Sequence, residues 1–347
     1  MKAYYHKYIL DFKRPGGTSR GVLTQKETWF IVIDDGEKQG IGECGVLKGL
    51  SIDDRPNYEQ KLKWVCNNIH LDLNDLLNKL IEFPSIQFGV EMALMSLKSY
   101  NKFDLFPSKF TQGEDVIPIN GLVWMGDKHF MKQQIKEKLN QGFSCIKMKI
   151  GAIDFETELE LLKSIRNEFS VNDVELRVDA NGAFSPEDAL EKLKLLSELN
   201  LHSIEQPIKV KQFEAMAQLC KSSPLDIALD EELIGIFDVT KRIELLQIIN
   251  PQYIILKPSL VGGFKESSEW IRMAENQNIK WWITSALESN VGLSAIAQWT
   301  YSLSNFMPQG LGTGSLYKNN FPSPLQVENG TLRYESKQGW NLNQIEL

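Results

Sequence analysis

The sequence predicts an α/β protein, a TIM-like (β/α) barrel preceded by a smaller α+β capping domain. From Ile117 onward, short apolar runs alternate with helix-period stretches, which in one sheet implies parallel strands joined by right-handed crossovers. Five charged residues, Lys149, Asp179, Glu205, Asp230 and Lys257, each close such a run, at spacings of 30, 26, 25 and 27 residues, about one strand-plus-helix unit each. A barrel whose strands deliver reactive groups to a common mouth has that spacing. Residues 1–110 lack the repeat, which separates them from residues 111–320, the barrel, and from residues 321–347, a segment expected to pack back on the capping domain.

In the first domain, YYHKYILDF, TWFIVID and QGIGEC read as three antiparallel strands, the last two joined by an Asp35-Gly36 turn. Helical stretches follow, ending in QFGVEMALMSLKSY. Pro15-Gly16-Gly17-Thr18-Ser19-Arg20-Gly21 lacks the GxxxxGK[ST] spacing of a phosphate loop and reads as a mobile hairpin connection or a lid over the site. Barrel strands are expected near 117–123, 145–150, 174–179, 203–205, 227–230, 253–257, 281–285 and 308–311. Between two of them, Ser185-Pro186 marks a helix start and leucines 190, 193, 196 and 199 form its core stripe. Phe155, Leu159, Leu162, Ile165 and Phe169 form a similar stripe.

With 347 residues and 42% hydrophobic content, the chain can bury a barrel core and still build a second domain. A net charge of −7 gives no general attraction to nucleic acid or anionic membranes, and no apolar run approaches the ~18 residues needed to span a bilayer. The N-terminus does not read as a secretory leader. Cys44, Cys66, Cys145 and Cys220 are scattered without a CxxC or Cys/His cluster, so a cytoplasmic setting is expected. His6, His70, His129 and His202 are unclustered, and no GxSxG elbow is present.

Period-two alternation decides which side chains enter the lumen. In Cys145-Ile146-Lys147-Met148-Lys149-Ile150 both lysines share one face, while Ile146, Met148 and Ile150 face the helices. A charge inside a barrel is costly unless paired. The partners come from the following strands, where Asp179, Glu205 and Asp230 end their own runs. Three converging carboxylates repel one another unless a cation lies between them, and an all-oxygen donor set favours a hard ion such as Mg²⁺.

The runs IKMK, LRVDANGAF, IEQP, LDE, ILKPSLVGG and SALESNVGL resemble, in order and spacing, the strand-end motifs of the enolase superfamily, in its muconate-lactonising subgroup. The resemblance spans nearly the whole chain and implies a modified, enolase-type barrel. It implies Asp179, Glu205 and Asp230 as ligands of Mg²⁺, or alternatively Mn²⁺, and Lys149 as the base removing a proton alpha to a carboxylate. Lys257 would be its counterpart across the substrate. Lys147 would lie beside the substrate carboxylate and favour a neutral Lys149 by like-charge proximity. Arg177 and Asn181, flanking Asp179, would either support the ligands from behind or face the substrate, and Ser285 would contact a substrate carboxylate.

Dipeptide epimerases of the subgroup carry an Asp-x-Asp at the end of the eighth strand. Here that place reads Gly310-Leu311-Gly312-Thr313-Gly314, without an acid. The combination of LDE, LKPSLVGG and the seventh-strand SALESNVGL is most similar to that of the o-succinylbenzoate synthase family, which implies metal-dependent dehydration of a small-molecule carboxylate, a succinyl-hydroxy-cyclohexadiene carboxylate, in menaquinone biosynthesis. An N-acylamino acid racemase and a muconate-type cycloisomerase are the alternatives within the superfamily. A carboxylate-binding barrel without turnover would leave two lumen lysines unexplained.

Overall fold

Five of the barrel strands end on, or one residue before, a charged side chain, and five of the helices around them start on a capping Asp or Ser. A computed structural model describes residues 1–18 and 21–343. The capping domain opens with a three-stranded antiparallel sheet, β1 (Lys2–Thr18), β2 (Gly21–Asp34) and β3 (Gln39–Gly45). The β2–β3 turn is closed by the Asp35 N–H on the Lys38 carbonyl, 3.2 Å. Two short helices, α1 (Tyr58–Asn67) and α2 (Leu73–Asn78), precede the longer α3 (Pro84–Lys98), which lies directly on β3. Gly42 permits that approach, since a Cβ there would collide with the Gly89 carbonyl. Trp29, Ile31, Ile33, Val65, Ile86 and Val90 form the apolar core between sheet and helices.

The glycine-rich segment expected to be a loop is largely strand. After an irregularity between Asp11 and Gly16, β1 and β2 resume pairing at Gly16 with Leu23 and Gly17 with Val22. Ser19 and Arg20, at the tip, lie outside the described residues.

The barrel sheet contains seven parallel strands in sequential order: β5 (Gly121–Val123), β6 (Cys145–Lys149), β7 (Glu175–Asp179), β8 (Ser203–Glu205), β9 (Ile227–Leu229), β10 (Tyr253–Leu256) and β11 (Lys280–Ile283). The eighth expected strand, 308–311, closes the ring through single bridges on both sides. The Gln309 N–H donates to the Pro118 carbonyl (2.8 Å), and the Gly310 N–H donates to the Ile283 carbonyl (2.8 Å). A Cβ on Gly310 would strike Thr284, so closure needs a glycine there.

The expected strand 117–123 is divided. Its first part, β4 (Ile117–Pro118), leaves the barrel to pair with a C-terminal hairpin, β12 (Leu325–Glu328) and β13 (Thr331–Tyr334). The C-terminal segment thus contributes strands that its sequence did not announce. Phe321 packs on Tyr8 and Phe30 of the capping domain, with ring centroids 5.0 and 5.3 Å apart, and Trp340 stacks on Phe103. Residues 344–347 of that segment lie outside the described residues.

Around the sheet run α4 (Lys128–Asn140), α5 (Phe155–Glu168), α6 (Pro186–Ser197), α7 (Phe213–Ser222), α8 (Val239–Ile249), the short α9 (Pro258–Val261), α10 (Gly263–Glu275) and α11 (Asn290–Ser302). The side chains of Asp127, Asp154, Ser185 and Asp238 each accept a backbone N–H of the helix they precede, satisfying donors otherwise orphaned at a helix start. Leu159, Leu162, Ile165, Leu193 and Leu196 are buried against the barrel wall, as their helical spacing predicts.

Candidate active site

In-register parallel pairing brings the charged strand ends level with one another. Lys149 pairs with Asp179, and Asp179 with Glu205. Asp230 and Lys257 sit one residue past β9 and β10, and Ser285 two past β11. The alternation places Ile146, Met148 and Ile150 in the core, fully buried, and turns both lysines inward.

The result is one buried network. Lys149 Nζ donates to Asp179 Oδ2 and to Asn181 Oδ1, each at 2.8 Å. Lys147 Nζ lies 3.0 Å from the same Asp179 oxygen and also donates to Glu205. Lys257 donates to Asp230. The three carboxylates are at most 3% exposed.

Burial alone would raise Asp179 and Asp230. The ammonium groups of Lys147 and Lys149 beside the first, and of Lys257 beside the second, outweigh it and hold both carboxyls below their usual range. Glu205 is pushed well up, by burial and then by the neighbouring Asp179 charge. Burial opposes charge on Lys147 and Lys257, but Asp179 and Glu205 around the first and Asp230 beside the second push both lysines up.

A cavity of about 900 Å³ opens above this network. Lys147, Lys149, Asp179, Asn181, Lys257 and Ser285 line its floor, while Glu205 and Asp230 stand behind the lysines. Its walls combine an apolar part, with Leu122, Trp124, Phe130 and Phe143 from the barrel and Leu23 and Leu47 from the capping domain, and a charged part that includes Lys13, Arg14, Lys48, Glu137 and Lys138. Pro15 and Val22 of the β1–β2 hairpin also reach the cavity. Gly310, Gly312 and Thr313 of the eighth segment line it without supplying an acid.

Arg177 is not brought to the cavity. It faces the lumen two residues below Asp179, where Nε donates to Glu175 at 2.7 Å and Nη1 to the Pro308 carbonyl at 2.9 Å. Its guanidinium lies 4.4 Å from the Trp282 ring centroid. Equal alternation gave Arg177 and Asp179 the same face but could not give their depths, so the expected substrate contact is replaced by a role in closing the barrel floor. Cys145 is buried beside Glu175, its thiol pushed up to about 12 by burial.

Several residues of the network are not singled out by the sequence reasoning. Thr313 shares a 2.6 Å hydrogen bond with Ser285. Gln206, at φ 40°, accepts the Asp230 N–H and donates to Glu232, fixing the turn that carries Asp230. Glu231, the residue after Asp230, accepts from Asn181 Nδ2 at 2.9 Å. The LDE run contains it, and its second acid was the available signal.

The donor chemistry of Asp179, Glu205 and Asp230 fits a hard dication: three anionic oxygen donors from consecutive strands, with Glu205 Oε1 buried and lacking a hydrogen-bond partner. Lysine ammonium groups bridge the carboxylates, and among the described residues no three acidic, histidine or cysteine side chains are gathered around a single point.

Residues 131–343 match the family described as Enolase C-terminal domain-like, and residues 2–97 match MenC, N-terminal domain. The o-succinylbenzoate synthase of Desulfotalea psychrophila is 48% identical over 96% of this chain and 98% of its own length. The chain belongs to the o-succinylbenzoate synthase family of the enolase superfamily. The crystal structure of MenC from the same organism superposes with a TM-score of 0.86 at 45% identity, covering 96% of this chain and 99% of that one. A D-Ala-D/L-Ala epimerase of Cytophaga hutchinsonii is 27% identical over 84% of this chain and 81% of its own. Enolase-superfamily enzymes use a divalent metal. Among the described residues no helix is long and apolar enough to cross a membrane.

Proposed function

We propose that this protein dehydrates a succinyl-hydroxy-cyclohexadiene carboxylate to o-succinylbenzoate in menaquinone biosynthesis. The observation that carries the reading is the placement of Lys149 and Lys257 on the floor of one cavity, flanking carboxylates from three consecutive strands, in a chain 48% identical to an o-succinylbenzoate synthase.

Lys149 takes the proton alpha to the substrate carboxylate, and the same amine returns it to the departing hydroxide, so that one C–H and one C–O bond break and water leaves an aromatic ring. Lys257, on the far side, faces the ring as an ammonium and favours the negative charge that develops there. Lys147 lies beside the substrate carboxylate. Asn181, bonded to Lys149, aims the base, and Ser285 with Thr313 offers a hydroxyl pair to a substrate oxygen. Asp179, Glu205 and Asp230 hold Mg²⁺, or Mn²⁺ in its place, which when bound supplies stabilisation of negative charge present only after proton removal. The apolar part of the walls suits a carbocyclic substrate and excludes water from the forming ring.

Residues 1–110 serve as the cap, 111–320 as the catalytic barrel and 321–347 as a segment bracing the cap. The four cysteines are free, as a reducing cytoplasm would keep them. No acid stands at 310–314 to hold a substrate amino group, which disfavours dipeptides. The test is product analysis in D₂O with two substrates. Dehydration of the cyclohexadiene is expected, and deuterium exchange with inversion of an N-succinyl amino acid, without any dehydration, would favour the racemase instead.

A further inference from the structure

The barrel helices α4, α5, α6, α8 and α11 are capped by the residue that precedes them, but the starts of α10 and α11, beyond Lys257 and Ser285, are in addition held from the other domain. Glu91, on α3 of the cap, reaches the start of α10, where its Oε2 accepts the Phe264 N–H at 2.6 Å and the Lys265 N–H at 3.4 Å. That helix begins at Gly263 without a side-chain cap of its own. Glu43, on β3 and fully buried, reaches the start of α11. It accepts the Ser289 N–H at 2.9 Å, the Ser289 hydroxyl at 2.6 Å and the Gly292 N–H at 2.8 Å, with Thr28 completing its shell.

Between these anchors Glu288 ties the two turns together. Its carboxylate accepts the Ser259 hydroxyl, two residues after Lys257, at 2.5 Å, and the Ala286 N–H, one residue after Ser285, at 2.7 Å. The turns carrying Lys257 and Ser285 are therefore fixed to each other by Glu288 and to the cap by Glu91 and Glu43. A carboxylate at a helix start is favourable on its own account, but stability would not require both carboxylates to come from the other domain.

We propose that Glu91 and Glu43 are positioning residues, Glu91 setting Lys257 through the start of α10 and Glu43 setting Ser285 and the adjoining cavity wall through the 286–289 turn. The cap thereby takes part in aligning the barrel's reacting groups. This rests on the assignment of Lys257 and Ser285 to the dehydration above.

The test compares Glu91→Gln and Glu43→Gln in the full chain with Mg²⁺. Small displacements of an aligned group cost one to two orders of magnitude in rate, so Glu91→Gln is expected to lower kcat about 10-fold with little change in KM. Glu43→Gln is expected to raise KM about 10-fold with kcat nearly kept. Unchanged kcat and KM in both folded variants, with only Tm lowered, would overturn the proposal. If either glutamine variant fails to fold, Glu91→Asp and Ser289→Ala replace it with the same expectations. Backbone hydrogen exchange at 257–262 and 284–288 gives a readout that needs no turnover. It should rise in the variants if the anchors position these turns, and unchanged exchange there would contradict the proposal. Wild-type protein that does not dehydrate the substrate would instead count against the reaction assigned above, with the exchange result still deciding on the anchors.

Discussion

The two ends of the barrel lumen both hold buried charge, and the lysines of one end line a cavity that Arg177 at the other does not reach. At the floor, Arg177 is spent on Glu175, the Pro308 carbonyl and the Trp282 ring, with His202 and Tyr253 packed beside the same tryptophan. The Arg177 charge outweighs burial and holds Glu175 below its usual range, so the pair is self-contained. At the mouth, Lys147, Lys149 and Lys257 are also paired, but the groups they pair with line or back a space large enough for a substrate. Buried ion pairs alone do not mark a site. Closed over by aromatic rings such a pair serves architecture, and opened to a cavity it becomes a candidate for chemistry.

Mutating each end should give opposite signatures. Lys149→Ala at the mouth should lower kcat by about three orders of magnitude, the usual scale for losing a general base, with Tm little changed. Steady-state kinetics beside a thermal melt would check it, and a retained rate would erase the distinction between the two ends. Arg177→Met at the floor should leave kcat within a few-fold while costing about 2 kcal/mol of stability, because the ion pair with the part-exposed Glu175 and the bond to the Pro308 carbonyl are lost. A urea titration reads that cost, and a large loss of kcat in the folded variant would bring Arg177 back among the substrate contacts.

Glu91 sharpens the contrast from the domain junction. Burial pushes its pKa up from 4.5 to about 7, against the Phe264 and Lys265 N–H groups that lower it. The folded state therefore holds the Glu91 proton more tightly than the unfolded chain does. Its contribution to stability is full below the unfolded value and is lost as pH rises from about 4.5 to about 7, amounting to about 3 kcal/mol at most. Glu91→Gln should flatten that part of the pH–stability curve, and an unaltered slope would assign the dependence elsewhere. The smallest effect is expected from Ser285→Ala. Losing one hydroxyl contact of about 1 kcal/mol should raise KM about five-fold without changing kcat.

Much of the mouth was legible in the sequence because strand ends and period-two alternation are local signals. Lys149, Asp179, Glu205, Asp230 and Lys257 could be placed from spacing alone, and the parallel register then made them neighbours. Depth along the lumen is not local, so alternation could not show that Arg177 lies below the cavity and not in its lining. The split at Pro118 depends on a hairpin more than 200 residues away, and the closure at Gln309 on single bridges to strands at both edges of the sheet. Glu43 meets Ser289 across 246 residues of chain, a contact no window of sequence could show.

The central claim is that carboxylates from β7 and the ends of β8 and β9 hold a divalent ion without which the lysines do not turn over substrate. Its most direct test is the rate of o-succinylbenzoate formation by EDTA-treated protein as Mg²⁺ is titrated back. Activity should vanish on chelation and return with Mg²⁺ in the wild type but not in Asp179→Asn. Turnover that persists unchanged in EDTA would contradict the account.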